Sequence, residues 1–119
     1  MKKIAGLLLI IVWVGCVGGP RPTLASAESV YVKYRGSVNL APFVCEWIAR
    51  SSVVKRLCYD GSEKYVIVNL AGTYYHYCEV PAAVVATWRK AESMGRFFNA
   101  YVKGRFDCRI LRVPSYENR

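Results

Sequence analysis

Apolar and polar positions alternate through "VYVKYR", where Val30, Val32 and Tyr34 fall on one side and Tyr31, Lys33 and Arg35 on the other, the period of a half-exposed strand. Gly36 and Ser37 are expected to end it. "FVCEWIARSSVVKRLCYDG", Phe43 to Gly61, predicts two extended runs about a Ser51-Ser52 break, with Asp60-Gly61 as the closing turn. "KYVIVNL" is rich in β-branched residues and predicts a strand, joined by a short Ala71-Gly72 loop to "TYYHYC". From Pro81 the period lengthens. Val84, Val85, Trp88 and Ala91 recur at helical spacing after a proline suited to a first turn. Ser93 is placed to cap a second helix, in which Met94, Phe97, Phe98, Tyr101 and Val102 form an apolar core stripe and Arg96, Asn99 and Lys103 a polar one. Gly104 fits its stop.

Strands followed by helices predict an α+β fold: a small antiparallel sheet of three or more strands, covered on one face by two α-helices. A two-residue Ala71-Gly72 loop sets Leu70, Val68 and Val66 opposite Thr73, Tyr75 and Tyr77, and a shift of one residue would exchange the faces. Tyr75 and Tyr77 then belong to the helix-covered face. Tyr74, His76 and Cys78 share the other face with Tyr65, Ile67 and Asn69, which leaves Tyr74 and His76 for outward contact.

"MKKIAGLLLIIVWVGCVGG" joins two lysines to an apolar run shorter and more glycine-broken than the roughly 20 residues of a membrane span. It reads as a signal peptide over 1–27, with cleavage after Ala25-Ser26-Ala27, and no integral membrane protein is expected once it is removed. The rival reading is a lipoprotein anchored through Cys16. Export places the remaining 92 residues in the periplasm or outside the cell. So short a chain gains from crosslinks, and Cys45, Cys58, Cys78 and Cys108 are the even number that two disulfides need. A hairpin centred on Ser51-Ser52 would put Cys45 across from Cys58, leaving Cys78 with Cys108; the alternative is Cys45–Cys108 with Cys58–Cys78. The expected organisation is an N-terminal extension with extended segments at 28–50, a domain at 51–108 and a C-terminal tail at 109–119, the tail partly loose.

After the leader, the charge is uneven: residues 28–88 hold six Lys or Arg against five Asp or Glu, and residues 89–119 hold eight against three. An anionic partner would meet the C-terminal quarter first.

"SSVVKRLCYD", "YVIVNLAGTYYHYCEVP" and "ESMGRFFNAYVKGRF" together resemble the KTSC domain family from Ser51 to about Phe106. The marks are Ser51-Ser52, Tyr59-Asp60, Tyr75 and Tyr77, Val80-Pro81, Ser93 with Gly95, and Phe98-Asn99. The family has no established activity and a suggested affinity for RNA. A leader and four cysteines make this an exported, cysteine-containing variant.

The residue inventory argues against an enzyme. His76 is the only histidine, and a partner thiol at Cys78 would be consumed by a disulfide. No phosphate-cradling glycine loop, H-E-x-x-H or G-x-S-x-G is present. Neither a metal nor a cofactor is expected, and a Tyr hydroxyl bonded to Asp60 reads as a structural lock. The function expected is a small exported binding or structural module of the cell envelope, with an unidentified and anionic partner. Tyr74, His76, Tyr75, Tyr77, Asn99, Arg96 and Lys103 are its candidate binding residues. The alternative is an RNA-binding module using the tyrosines to stack bases and the basic residues to meet phosphates. A thiol- or histidine-dependent enzyme is the third reading.

Overall fold

The computed structural model describes residues 28–116. The expected leader, its cleavage after Ala27 and the Cys16 lipidation site lie outside the described residues. Six strands, β1 (Ser29–Val32), β2 (Gly36–Asn39), β3 (Val44–Trp47), β4 (Val54–Asp60), β5 (Tyr65–Leu70) and β6 (Thr73–Tyr77), form one sheet in the order β2-β1-β6-β5-β4-β3. All pairings are antiparallel except β1 with β6, which meet in parallel at Val32 and Tyr74 alone. Helix α1 (Ala82–Lys90) follows, then α2 (Met94–Phe97), which passes directly into a π turn at Phe98–Val102. Among the described residues no helix is long and apolar enough to cross a membrane. The fold is α+β and disulfide-stapled, as the order of strand and helix periods predicts.

The β5–β6 hairpin has the register that a two-residue loop requires, with Leu70 opposite Thr73, Val68 opposite Tyr75 and Val66 opposite Tyr77. Ala71 and Gly72 both take positive φ, 51° and 105°, the geometry of the tight turn whose twist matches the strands. The Asn69 Oδ1 accepts from Gly72 N at 2.8 Å and holds that turn. One face of the sheet is the helix-covered core. Val66 and Val68 meet Val85, Trp88, Met94, Phe98 and Val102 there, with Tyr75 and Tyr77 packed against them. Trp88 is fully buried, its indole N–H donating to the Met94 carbonyl, and Tyr59 donates to the Val80 carbonyl at the entry to α1. Arg50 reaches the carbonyls of Arg89 and Ala91 and so closes the C-terminal end of α1.

The other face was expected to look outward, and it does not. Val32, Val38, Leu40 and Phe43 from the N-terminal extension, with Cys108 and, from the tail, Leu111 and Tyr116, build a second core over Cys58, Tyr65, Ile67 and Cys78. Leaving an apolar side chain such as Ile67 in water forfeits roughly 1.5–3 kcal/mol. Several such residues amount to a large share of the ~5–15 kcal/mol that holds a domain together, so this cover is part of the fold.

Three local expectations change for related reasons. Gly36 and Ser37 do not end the extended segment but begin β2, because Lys33–Arg35 turns the chain back and Gly36 supplies φ 106°. The tail is ordered through Tyr116, whose ring packs on Phe43 and Tyr65 and whose hydroxyl donates to Asp60 Oδ2 at 2.7 Å. The expected tyrosine lock on Asp60 is thus made by Tyr116. Tyr101 is 55% exposed, its ring tilted against Phe97, because the π turn widens the helix there and leaves Met94, Phe98 and Val102 as the buried line.

Cys45 lies directly opposite Cys58, and the two form one disulfide; Cys78 and Cys108 form the other. Ile48 N donates to Lys55 O, so the hydrogen-bonded positions alternate down the hairpin and Cys45/Cys58 falls at a close, non-hydrogen-bonded pair. Thiol titration of the unfolded, non-reduced chain from Glu28 onward should find no free thiol, and reduction should lower stability to denaturant by about 2–4 kcal/mol per bridge.

The Tyr116 phenol is held above the usual tyrosine range, first by burial and then by its bond to Asp60, and Tyr59 is raised by burial. A raised phenol contributes stability that is complete below the unfolded value of about 10 and is lost as pH rises through the folded one. Thermal melts should therefore fall in midpoint above about pH 10. Tyr116→Phe should lower stability at neutral pH by about 1–2 kcal/mol and flatten the alkaline fall.

Candidate functional site

β6 is the last strand that the helices cover, and β1 supports only its beginning. In the β5–β6 hairpin the hydrogen-bonded pairs fall at Thr73, Tyr75 and Tyr77, so the backbone groups of Tyr74, His76 and Cys78 face away from β5. Tyr74 O accepts from Lys33 N, and Cys78 N donates to Phe106 O. Between those two anchors the β6 edge at His76 borders a cleft of about 710 Å³. Its near wall is Tyr75, His76 and Tyr77. Its far wall is the segment from Lys103 through Asp107 to Arg109, and Tyr34 stands at its mouth.

Of the candidate binding residues, the structure brings together Tyr75, His76, Tyr77 and Lys103. Arg96 and Asn99 lie elsewhere, beside Ser51 and Ser52 in a shallower depression. Tyr74 is committed to a third place. Arg56, only 7% exposed, makes a two-pronged bond to Glu28 at 2.8 and 2.9 Å, donates to the Tyr74 hydroxyl at 3.2 Å and lies 4.3 Å from the Trp47 ring centre. The Glu28 carboxyl is held below its ordinary range by that Arg56 bond. This network ties Glu28 to the sheet, so Tyr74 is a structural contact rather than an outward one.

His76 is half-buried, and its surroundings define it. Nδ1 lies 2.7 Å from the Tyr65 hydroxyl, and the same oxygen accepts from Arg35 at 2.9 Å. The Tyr65 oxygen thus stands between the Arg35 guanidinium and the ring, and the direction of its bond to Nδ1 is set by the ring tautomer. Burial, followed by the nearby Arg35 charge, pushes the imidazolium pKa down, so the ring is neutral near pH 7. Across the cleft, the Asp107 carboxyl is drawn down to about 2 by the Arg109 side chain forked against it. Tyr77 is pushed up to about 12 by burial. Tyr77 is therefore un-ionised at neutral pH, and both tyrosines of the near wall border the cleft.

The His76 ring and the sulfurs of Cys78 and Cys108 are mutually within 4.8 Å. With the sulfurs joined, no thiolate stands beside the imidazole and no nucleophile–base pair forms. Sequence reasoning missed Tyr34, Arg35 and Asp107, and counted Arg109 only among the basic residues that could meet phosphates. Tyr34 and Arg35 were assigned to a strand, whereas Tyr34 takes φ 70° in the turn and Lys33 lies over its ring. The cluster "KYRG", two cations and an aromatic ending in glycine, carried the signal for a turn.

The family marks mostly resolve into scaffold. Ser51 Oγ accepts from the N–H groups of Val53 and Val54, Ser93 Oγ from Arg96 N at the start of α2, and Tyr59 secures Val80. Tyr65→Phe should cost about 1–3 kcal/mol, because His76 Nδ1 and the Arg35 donor both lose their partner; urea unfolding measures the cost. The nitrogen shifts of the ring should also change as Nδ1 loses its partner.

Residues 50–106 match the model of the KTSC domain. A solved structure, that of a KTSC domain protein from Yersinia pestis, is 26% identical to this chain. The likeness has a TM-score of 0.52 and covers 55% of this chain and 92% of that one. Among curated proteins none matches.

Proposed function

Residues 50–106 are a KTSC domain, and on that premise we propose that the chain is a small exported, non-enzymatic binding module of the cell envelope. The cleft at the open edge of β6 holds its ligand. The observation that carries this reading is the composition of the two walls. Tyr75 and Tyr77 offer flat apolar surface, and the His76 edge of the strand offers backbone polar groups. Lys103 supplies positive charge opposite them, beside the Asp107–Arg109 ion pair. A ligand with flat sugar faces and regularly spaced negative groups, an anionic envelope glycan, meets all three.

The non-enzymatic part is supported by the state of the one imidazole. His76 is engaged through Nδ1 with Tyr65, and its neighbouring sulfurs are joined to each other. A second reading, single-stranded RNA, is favoured by the same tyrosines, since stacking faces beside cations also suit bases and phosphates.

Calorimetric titration with a uronic-acid oligosaccharide and with a short single-stranded RNA, each at low and high salt, separates them. The oligosaccharide should bind, weaken as salt rises, and lose about tenfold in affinity, roughly 1.4 kcal/mol, in the Tyr75→Ala/Lys103→Ala variant. RNA binding that is tighter and falls with the same variant transfers the cleft to the second reading. Binding of neither at low salt removes both.

A further inference from the structure

The cluster at the floor of the cleft has a use that its crosslinked form hides. We propose that the Cys78–Cys108 disulfide, once reduced, converts with His76 into a three-ligand site for a thiophilic divalent ion of the zinc class. Imidazole nitrogen and two sulfurs within 4.8 Å of one another are the spatial cluster that such an ion gathers, although the chain spacing between Cys78 and Cys108 gives no close-pair motif. Two thiolates neutralise the ion's double charge. The fourth position of a tetrahedral ion is left to a group in the cleft, where His76 and Cys108 form part of the lining.

Three features make the cluster more than a coincidence of sulfur and nitrogen. First, the segment bearing Cys108 stays in place without the covalent bond. Cys78 N donates to Phe106 O at 2.9 Å, Arg112 N donates to Glu79 Oε2, and the Arg112 guanidinium donates to Glu63 at 2.8 Å. Secondly, His76 already has an outer partner. With a metal on Nε2, the ring proton sits on Nδ1 and donates to the Tyr65 oxygen, whose two lone pairs accept it together with Arg35. Thirdly, the two sulfurs differ in access. Cys78 is fully buried, whereas Cys108 is part-exposed at the cleft wall, so an incoming thiolate meets Cys108 first.

The chemistry balances with a dithiol reductant. One thiolate of the reductant attacks Cys108 Sγ and expels the Cys78 sulfur; its second thiol then displaces Cys108, and the reductant leaves as a disulfide carrying the two electrons' worth of oxidation. Cys78 and Cys108 end as thiols, and binding of the ion releases their two protons. Reoxidation reverses the sequence and discharges the ion. Cys45–Cys58 has no imidazole beside it, since the single histidine lies with the other pair.

The test uses the exported chain carrying Cys45→Ala and Cys58→Ala, so that only one cysteine pair remains, reduced with a phosphine under anaerobic conditions and titrated with Co2+. Thiolate-to-cobalt charge transfer and tetrahedral visible bands should saturate at about one ion per chain. Zn2+ should bleach them, the oxidised protein should show none, and His76→Ala should bind at least about tenfold more weakly. No cobalt spectrum in the reduced protein, or equal affinity in His76→Ala, overturns the proposal. Circular dichroism reports whether the double variant is folded. If it is not, the same titration on the reduced wild-type chain compares it with His76→Ala and Cys78→Ser: affinity weaker by at least about tenfold in both supports the site, and unchanged affinity in either refutes it.

Discussion

Strand β5 has no solvent side, and the rest of the molecule is arranged to satisfy that. Tyr65, Val66, Ile67 and Val68 are all fully buried in succession. Val66 and Val68 give one face a reason to be covered by α1, α2 and the π turn; Tyr65 and Ile67 demand the same of the other. The KTSC match ends at residue 106 and begins at 50. The cover for the second face comes from beyond both limits, from Val32 to Phe43 on one side and Leu111 and Tyr116 on the other.

Each disulfide joins one of those flanking segments to the matched domain. Cys45 and Cys108 lie outside residues 50–106, Cys58 and Cys78 inside. The crosslinks thus fasten two lids to one sheet, and the cleft opens where the lids fail to meet. β1 stays with β6 only as far as Tyr74, and the returning chain rejoins it only at Cys78, so His76 lies at the gap. Tyr34 from one lid and Lys103 to Arg109 from the approach to the other supply the walls. The candidate site is in this sense a product of the flanking segments, not of the matched domain alone.

The parts legible in the sequence were those governed by neighbours along the chain. Ala71-Gly72 is a two-residue turn, so the alternation of Tyr74 to Tyr77 followed, as did the placing of Tyr75 and Tyr77 under the helices. Ser51-Ser52 centred a hairpin, so Cys45 met Cys58. What escaped was set by contacts at long sequence separation. Tyr116 bonds to Asp60 fifty-six positions away, and Arg56 to Glu28 at twenty-eight. Nothing in the local pattern of "RVPSYENR" distinguishes a tail that returns to cover a sheet from one that does not. For the same reason Tyr74, correctly assigned to the face it shares with His76, was wrongly supposed to look into solvent, whereas it is bonded to Arg56.

The single parallel contact between Val32 and Tyr74 has a mechanical consequence. The β1–β2 hairpin is attached to the sheet by a seam one residue pair long, so a load drawn from the N-terminus would peel this leaf first, at low force. The Glu28–Arg56 fork and the second core would yield with it. Peeling would then stop at Cys45, where the load passes through a covalent bond into β4. The two bridges enclose sequence separations of 13 and 30, and at about 3.5 Å per residue they withhold roughly 150 Å of contour from extension. A tether to a surface at either end would find a compliant leaf and, behind it, a length of chain that cannot be pulled out while the sulfurs remain joined.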